Sequence, residues 1–150
     1  MSGPANPPPA SPPPPAVPSP PPQHERIAYN FAVLRVVPHV HTGAFVNVGV
    51  ALHARTAEFL GARVITDAAV LRRLAPDVDI ELLARYLESY RQIAAGDEAA
   101  GPVALLPPSE RFHWMTSPRS DVLQSSPVHA GLSERPEETL DELFCSFVTG

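Results

Sequence analysis

The sequence predicts an α+β fold, in which a small antiparallel sheet packs against two to three helices. Residues 27–65 contain three runs of alternating apolar residues separated by short polar connections, a pattern typical of a three-stranded meander. From residue 66 onward the apolar spacing changes to i, i+3 and i+4, which indicates helices. Because the helices follow the strands instead of alternating with them, we expect α+β rather than a parallel α/β sheet.

The three predicted strands differ in what their faces carry. The first, Ile27–Pro38, has two largely apolar faces and is expected to be buried on both sides. The third, Glu58–Ile65, is interrupted by Gly61. The second, Phe45–Ala54, is expected to place one apolar row on a single face, made of Val46, Val48, Val50, Leu52 and Ala54.

Helix signals follow in order along the chain. Asp and Thr side chains cap helix starts, Pro is favoured in the first turn, and Gly favours helix ends. On this basis we expect helices from Thr66 or Asp67 to Pro76, from Asp77 or Asp79 to Gly96, and from about Pro136 onward.

Proline sets the domain boundary. Of the 20 prolines, 12 lie between Pro4 and Pro22, a stretch without charged or aromatic residues. Such a segment favours extended polyproline II and cannot bury a core. We therefore expect residues 1–23 to form a disordered Pro-rich tail and residues 24–150 to form a single α+β domain.

Charge and cysteine content narrow the classes of function. Eleven arginines and no lysines face 16 acidic residues, and because no basic stripe is present, nucleic-acid binding is disfavoured. Cys145, the single cysteine, permits no internal disulfide. No apolar run is long enough to span a membrane, and the Pro-rich start lacks the features of a secretory signal. We expect a cytoplasmic protein that does not bind membranes.

The most unusual stretch is Ser109–Gly131, which is polar and contains the only tryptophan. Residues 111–116 are expected to add a fourth strand to the sheet, and the remainder to form a loop that apolar side chains hold against the domain. Trp114 is interpreted as a core anchor, with a stacking platform as the alternative.

Candidate ligand-binding residues come mainly from this stretch. Their guanidinium, imidazole, amide and hydroxyl groups are suited to the capture of carboxylate or phosphate. The alternative is that they satisfy backbone groups of the loop itself. The candidates are Arg35, Asn47, Arg111, His113, Arg119, Ser120, Gln124, Ser126 and His129.

Two candidates on the strands have alternatives of their own. Arg35 shares a face with apolar residues, so its charge needs either an internal carboxylate or a ligand anion. The carboxylates in question are Asp67, Glu110 and Asp121. Asn47 and the small Gly49 leave room for a ligand or for close approach of Ser109–Gly131, and we favour the second.

Metal and nucleophile chemistry is not predicted. Three histidines lack a supporting carboxylate or cysteine at metal-ligand spacing, namely His39, His41 and His53. The residue types of a hydrolytic triad occur without a nucleophile elbow, in Ser120, Ser126, Asp121 and His129. No catalytic residue, metal or cofactor is therefore assigned.

Several motifs together carry a family resemblance. They are Tyr29, Val33-Leu-Arg-Val-Val-Pro38, Phe45-Val-Asn-Val-Gly-Val50, Arg111-Phe-His-Trp114, Ser117-Pro-Arg-Ser120, Gln124, Ser126-Pro127 and His129. From Tyr29 to the C-terminus the chain resembles a bacterial family catalogued as domain of unknown function 3037. The resemblance implies a compact cytoplasmic bacterial protein, without an established activity, and a kinase-like neighbour of the toxin and antitoxin type as a protein partner. His53 and the loop His39–Gly43 depart from the family pattern.

Two hypotheses of function follow, and whether the protein is an enzyme stays open between them. The leading one is a non-enzymatic protein-interaction module whose surface is built by Phe45–Ala54 and Ser109–Gly131. The alternative is an enzyme or sensor that binds a phosphate-bearing small molecule or nucleotide. In that case one pocket should gather the anion-binding Arg35, Arg111 and Arg119 with His113 or His129 as general acid or base.

Overall fold

The computed structural model describes residues 3–5, 7–9, 11–12, 25–38, 44–118 and 122–150, so most of the expected Pro-rich tail lies outside it. Within these residues the chain forms a five-stranded antiparallel sheet and four α-helices, which confirms the predicted α+β class. The strands are Ile27–Val36 (β1), Val46–Ala54 (β2), Phe59–Val64 (β3), Leu123–Ser125 (β4) and His129–Ser133 (β5). The helices are Ala68–Leu74 (α1), Ile80–Ala95 (α2), Pro108–Thr116 (α3) and Pro136–Phe144 (α4), and a π-helical turn at Cys145–Thr149 extends α4.

The sheet has the order β3-β2-β1-β4, and β5 also pairs with β1. The predicted meander of β1, β2 and β3 is confirmed. On the other side of β1, β4 pairs with the Leu34–Val36 end and β5 with the Ile27–Phe31 end. Strand β1 is therefore central, which explains why both of its faces are apolar.

The sheet carries helices on both faces. On one side, which we call the α2 face, side chains such as Leu34 and Ala51 pack against α1, α2 and α3. On the other side, the α4 face, Phe31 and Leu52 pack against Leu140 of α4. The two faces hold separate groups of buried residues with the sheet between them.

A β-bulge in β2 corrects the predicted single apolar row. Leu34 pairs with Gly49 whereas Arg35 pairs with Asn47, so Val48 is an extra residue without a partner in β1. The insertion reverses the alternation of side chains. Val46 and Val48 consequently belong to the α2 face, while Val50, Leu52 and Ala54 belong to the α4 face.

The expected fourth strand at residues 111–116 is wrong, because these residues lie in helix α3. The helix starts at Pro108, where a missing backbone N–H costs nothing, and Glu110 lies in its first turn. Phe112 and Met115 are both buried, as the helical spacing i, i+3 allows and strand alternation does not. The fourth and fifth strands of the sheet are instead formed by Leu123–Ser125 and His129–Ser133.

The predicted caps are confirmed for the first two helices. The Asp67 side chain accepts a hydrogen bond from the Ala69 amide at 2.9 Å, and the Asp79 side chain accepts one from the Leu82 amide at 3.2 Å. Helix α2 ends at Gly96, which adopts the left-handed conformation with φ 74°. The last helix opens at Pro136, also as predicted.

Candidate functional site

Three of the predicted site residues lie side by side across the α4 face. Arg35 in β1 lies opposite Asn47 in β2 and opposite Gln124 in β4. Residues directly opposite in antiparallel strands share a face, so the three side chains form one row. The bulge at Val48 is what brings Asn47 onto this face.

Aromatic rings surround this row. The Arg35 guanidinium lies over the Phe45 ring, with 4.3 Å from Cζ to the ring centroid, which is a cation–π contact. The Asn47 side-chain amide donates to the Phe147 carbonyl oxygen at 3.0 Å, and this bond ties the π-helical turn to β2. The Phe147 ring in turn lies 5.8 Å from the Phe31 ring.

His129 joins the same surface from β5. It lies opposite Phe31 in the sheet, and the two ring centroids are 5.4 Å apart. The structure thus gathers four predicted residues from distant parts of the chain beside exposed aromatic rings. We call this surface the aromatic patch and define it as Arg35, Phe45, Asn47, Gln124, His129 and Phe147.

Arg35 does not form the predicted internal ion pair with either described candidate. Asp67 caps α1, and Glu110 lies on α3, which packs against the α2 face. Asp121 lies outside the described residues. Among the described residues no carboxylate is within salt-bridge distance of Arg35, and the Phe45 ring is its contact.

The favoured explanation for Asn47 and Gly49 is also corrected. Asn47 bonds the C-terminal turn rather than the stretch Ser109–Gly131. A Cβ at Gly49 would lie 2.9 Å from the backbone oxygen of Arg63 and equally close to Val64. Gly49 therefore makes room for β3.

Arg111 holds the end of helix α2. Its guanidinium donates to the carbonyl oxygens of Ile93 at 2.8 Å and Ala94 at 2.9 Å, and also to that of Leu106 at 2.8 Å. The last carbonyls of a helix lack partners within the helix, so this side chain satisfies them. Burial lowers the pKa of the guanidinium from its ordinary value. These donors serve the protein's own backbone.

Ser126 and His113 occupy contrasting positions. Ser126 is buried, and its hydroxyl oxygen accepts the Val33 amide at 2.8 Å and donates to the Pro127 carbonyl at 2.9 Å. His113 is exposed on α3. Arg119 and Ser120 lie outside the described residues.

The single anion pocket of the alternative hypothesis is not formed by the described candidates. Arg35 and His129 lie on the α4 face. Arg111 and His113 lie on α3, which packs against the α2 face. The sheet therefore separates the two groups.

Sequence reasoning missed Phe147, and it included Phe45 only as the first residue of a strand on the expected interaction surface. Phe45 and Phe147 are 52% and 44% exposed, although both are large apolar residues. Phe147 lies in the π-helical turn beyond α4, a position that no local sequence pattern encodes. Trp114 packs against Tyr90 with ring centroids 5.6 Å apart and lines a cavity of about 280 Å³ beside the core.

No group of three or more His, Cys, Asp or Glu side chains in the described part of the chain could hold a metal ion. A membrane-spanning helix is likewise absent from those residues, since none is both long and apolar enough.

The fold and the patch together define the class: an α+β domain with helices on both faces of an antiparallel sheet and an arginine-centred aromatic patch on one face. The model of the family described as protein of unknown function DUF3037 matches residues 31–148, so the chain belongs to that family. This confirms the resemblance found in the sequence. No curated protein and no solved structure matches the chain.

Proposed function

We propose that this domain is a protein-interaction module and that its partner docks on the aromatic patch. The observation that carries the proposal is the exposure of Phe45 and Phe147 beside Arg35. Aromatic residues and arginine dominate the binding energy of protein interfaces, and exposed apolar clusters mark such surfaces. Asn47, Gln124 and His129 supply a polar surround that can form hydrogen bonds at the rim of an interface.

The patch uses only part of the surface expected from the sequence. The range Phe45–Ala54 contributes Phe45 and Asn47, and the stretch Ser109–Gly131 contributes Gln124 and His129. Helix α3, which belongs to the same stretch, lies on the opposite side of the sheet.

The chemistry of the patch favours a partner surface that is both acidic and apolar. The Arg35 guanidinium stacks on Phe45, and within the described residues no carboxylate neutralises it. A partner that presents an Asp or Glu carboxylate beside an apolar side chain would complement both groups. The kinase-like neighbour that the family resemblance implies is the first protein to test.

Binding of that neighbour to the full chain can be measured by isothermal titration calorimetry. We expect a stable complex with the wild-type chain and at least tenfold weaker binding for Phe45→Ala and Arg35→Gln. Leu105→Ala is the matched control, because Leu105 is 68% exposed on the 3₁₀ turn Pro102–Leu105 away from the patch, and it should bind like the wild type. Equal affinities for Phe45→Ala and wild type would exclude the patch. If the neighbour does not bind and crosslinking in the native cells recovers no stoichiometric protein, the interaction module itself is excluded.

The enzyme or sensor hypothesis loses its geometric basis among the described residues. It required convergence of Arg35 and Arg111, and these side chains lie on opposite faces with other contacts. The interaction module is therefore the function that this arrangement supports best.

A further inference from the structure

A cleft lies on the α2 face where the covering helices end, and His53 forms its floor. His53 in β2 lies opposite Asn30 in β1 and is only 7% exposed. Its ring packs against Phe112 of α3, with 5.6 Å between the centroids. Within the described part of the chain, neither ring nitrogen receives or donates a hydrogen bond. No buried side-chain nitrogen or oxygen atom of the described residues lacks a hydrogen-bond partner, so the ring nitrogens of His53 reach the surface of the cleft.

Two adjoining cavities meet at this histidine, and both are bordered by His53 and Arg55. The first, of about 490 Å³, continues over β5, where Ala130 and Leu132 give it an apolar surface. The second, of about 340 Å³, reaches Pro108 and Ser109 at the beginning of α3. Each is within the size range of small-molecule sites. The cleft therefore has an apolar end over β5 and a second end at the beginning of α3.

The donors at the second end come from the start of α3. This helix has no side-chain cap, and Pro108 has no backbone N–H. The first amide bonded within the helix is that of Arg111, which donates to the Pro107 carbonyl at 3.0 Å. The preceding amides of Ser109 and Glu110 are thus left for another acceptor, and the helix dipole favours a negative charge there.

The electrostatics of the cleft favour a neutral His53. Burial, followed by the charges of Arg111 and Arg55, lowers the pKa of His53 below its ordinary value. A neutral imidazole offers one N–H donor and one acceptor to a bound molecule. Arg55 is exposed at the turn between β2 and β3 and supplies the positive charge at the entrance.

We propose that this cleft binds a small molecule that carries a carboxylate or phosphate group on an apolar body. The anionic group is held by Arg55, His53 and the amides at the start of α3. The apolar body lies over Ala130 and Leu132. Glu58 also borders the cleft, so its carboxylate weakens binding of an anion. The site lies on the face opposite the aromatic patch and does not rest on the proposed function.

Titration of the ¹⁵N-labelled full chain, followed by NMR, tests the proposal with hexanoate, phenyl phosphate and inorganic phosphate. We expect hexanoate or phenyl phosphate to shift the Ser109 and Glu110 amide signals, whereas the neutral analogue 1-hexanol should leave them unchanged. Shifts with hexanoate alone identify a carboxylate ligand, and shifts with phenyl phosphate alone identify a phosphate ligand. Inorganic phosphate, which lacks an apolar body, should bind at least tenfold more weakly than the better organic anion. The proposal is overturned if neither organic anion shifts these signals, or if 1-hexanol shifts them equally.

Substitutions of opposite sign provide the second test. Arg55→Gln should weaken binding of the better anion at least tenfold, and Glu58→Gln should strengthen it two- to fivefold. His53→Phe keeps a ring against Phe112 and should also weaken binding, provided that its NMR spectrum shows a folded chain. Arg85→Gln, an exposed arginine on α2, is the matched control and should leave the affinity unchanged. An Arg55→Gln affinity equal to that of the wild type would disprove the site even if His53→Phe does not fold.

Discussion

At Ser126, a hydroxyl group takes the position that a backbone carbonyl normally has in an antiparallel ladder. The Ser126 amide donates to the Val33 carbonyl at 2.8 Å, but the Val33 amide donates to the Ser126 hydroxyl rather than to its carbonyl. Both residues are buried. The side chain thus continues the pairing of β1 across the gap between β4 and β5.

Ser126→Ala should therefore destabilise the domain, because the buried Val33 amide loses its acceptor. We expect the free energy of unfolding to fall by about 1–3 kcal/mol. Urea denaturation measures the change, with Ser146→Ala as the control at an exposed position. A change in Ser126→Ala no larger than in the control would show that the hydroxyl is not needed for strand pairing.

His53 makes stability depend on pH. Its pKa in the folded chain is lowered by burial and by Arg111 and Arg55, while the carboxylate of Glu58 borders the same cavity. The unfolded chain then binds a proton more readily than the folded chain, so stability is retained above about pH 6.5 and lost as the pH falls through that value. His53→Phe should flatten this dependence between pH 7 and pH 5, as measured by urea denaturation. His113→Phe, at an exposed position, should not.

At the scale of the element, the sequence correctly predicted the helix starts and ends that depend on nearby residues. The caps Asp67 and Asp79 and the terminator Gly96 act within a few residues, so they were readable from the sequence. The bulge at Val48 could not be predicted from the sequence, because the alternation of apolar residues continues through the inserted residue. Only the pairing of β2 with β1 reveals the insertion. The sequence of α3 predicts a strand instead of a helix, because Phe112 and Trp114 also fit a strand with a period of two residues.

Two of the glycines in the sheet, Gly49 in β2 and Gly61 in β3, allow different degrees of adjustment. A Cβ at Gly49 meets the Arg63 backbone oxygen at 2.9 Å, and strand pairing fixes that atom. A Cβ at Gly61 meets the ends of the Phe59 and Leu140 side chains at 2.8 and 2.9 Å, and these can rotate.

We therefore expect Gly49→Ala to lower the free energy of unfolding by about 2–3 kcal/mol or more, and Gly61→Ala to lower it by less. Thermal and urea denaturation of both variants provide the comparison. The reverse order would mean that packing of α4, rather than the spacing between β2 and β3, limits the sheet.

At the scale of the whole molecule, the two groups of buried residues share one sheet, so they should unfold together. Trp114 reports on the α2 face, whereas Leu140 is buried on the α4 face. Leu140→Ala should lower the free energy of unfolding by about 2–5 kcal/mol, and Trp114 fluorescence should show the full loss. Leu105→Ala, at an exposed position, is the control. A transition of Trp114 that does not move would indicate that α4 unfolds separately.

The candidate site could be predicted only in part, because it is assembled by strand pairing. Arg35, Asn47, Gln124 and His129 were recognised from their chemistry, but their meeting on one face depends on β1 pairing with β2, β4 and β5. Arg111 was recognised as well, although two of its three acceptors are backbone carbonyls 17 and 18 residues earlier, which no motif reveals. His53 departs from the family pattern, and the sequence does not reveal that Phe112 of α3 packs against its ring.

Pro127 has a consequence for how copies of this domain behave in a crowded solution. It lies between β4 and β5, so the edge of the sheet that lies opposite β3 is divided into stretches of three and five residues. Short, proline-interrupted edges are poor templates for the addition of a strand from another molecule. The domain can therefore leave this edge open to solvent while resisting the growth of intermolecular sheets.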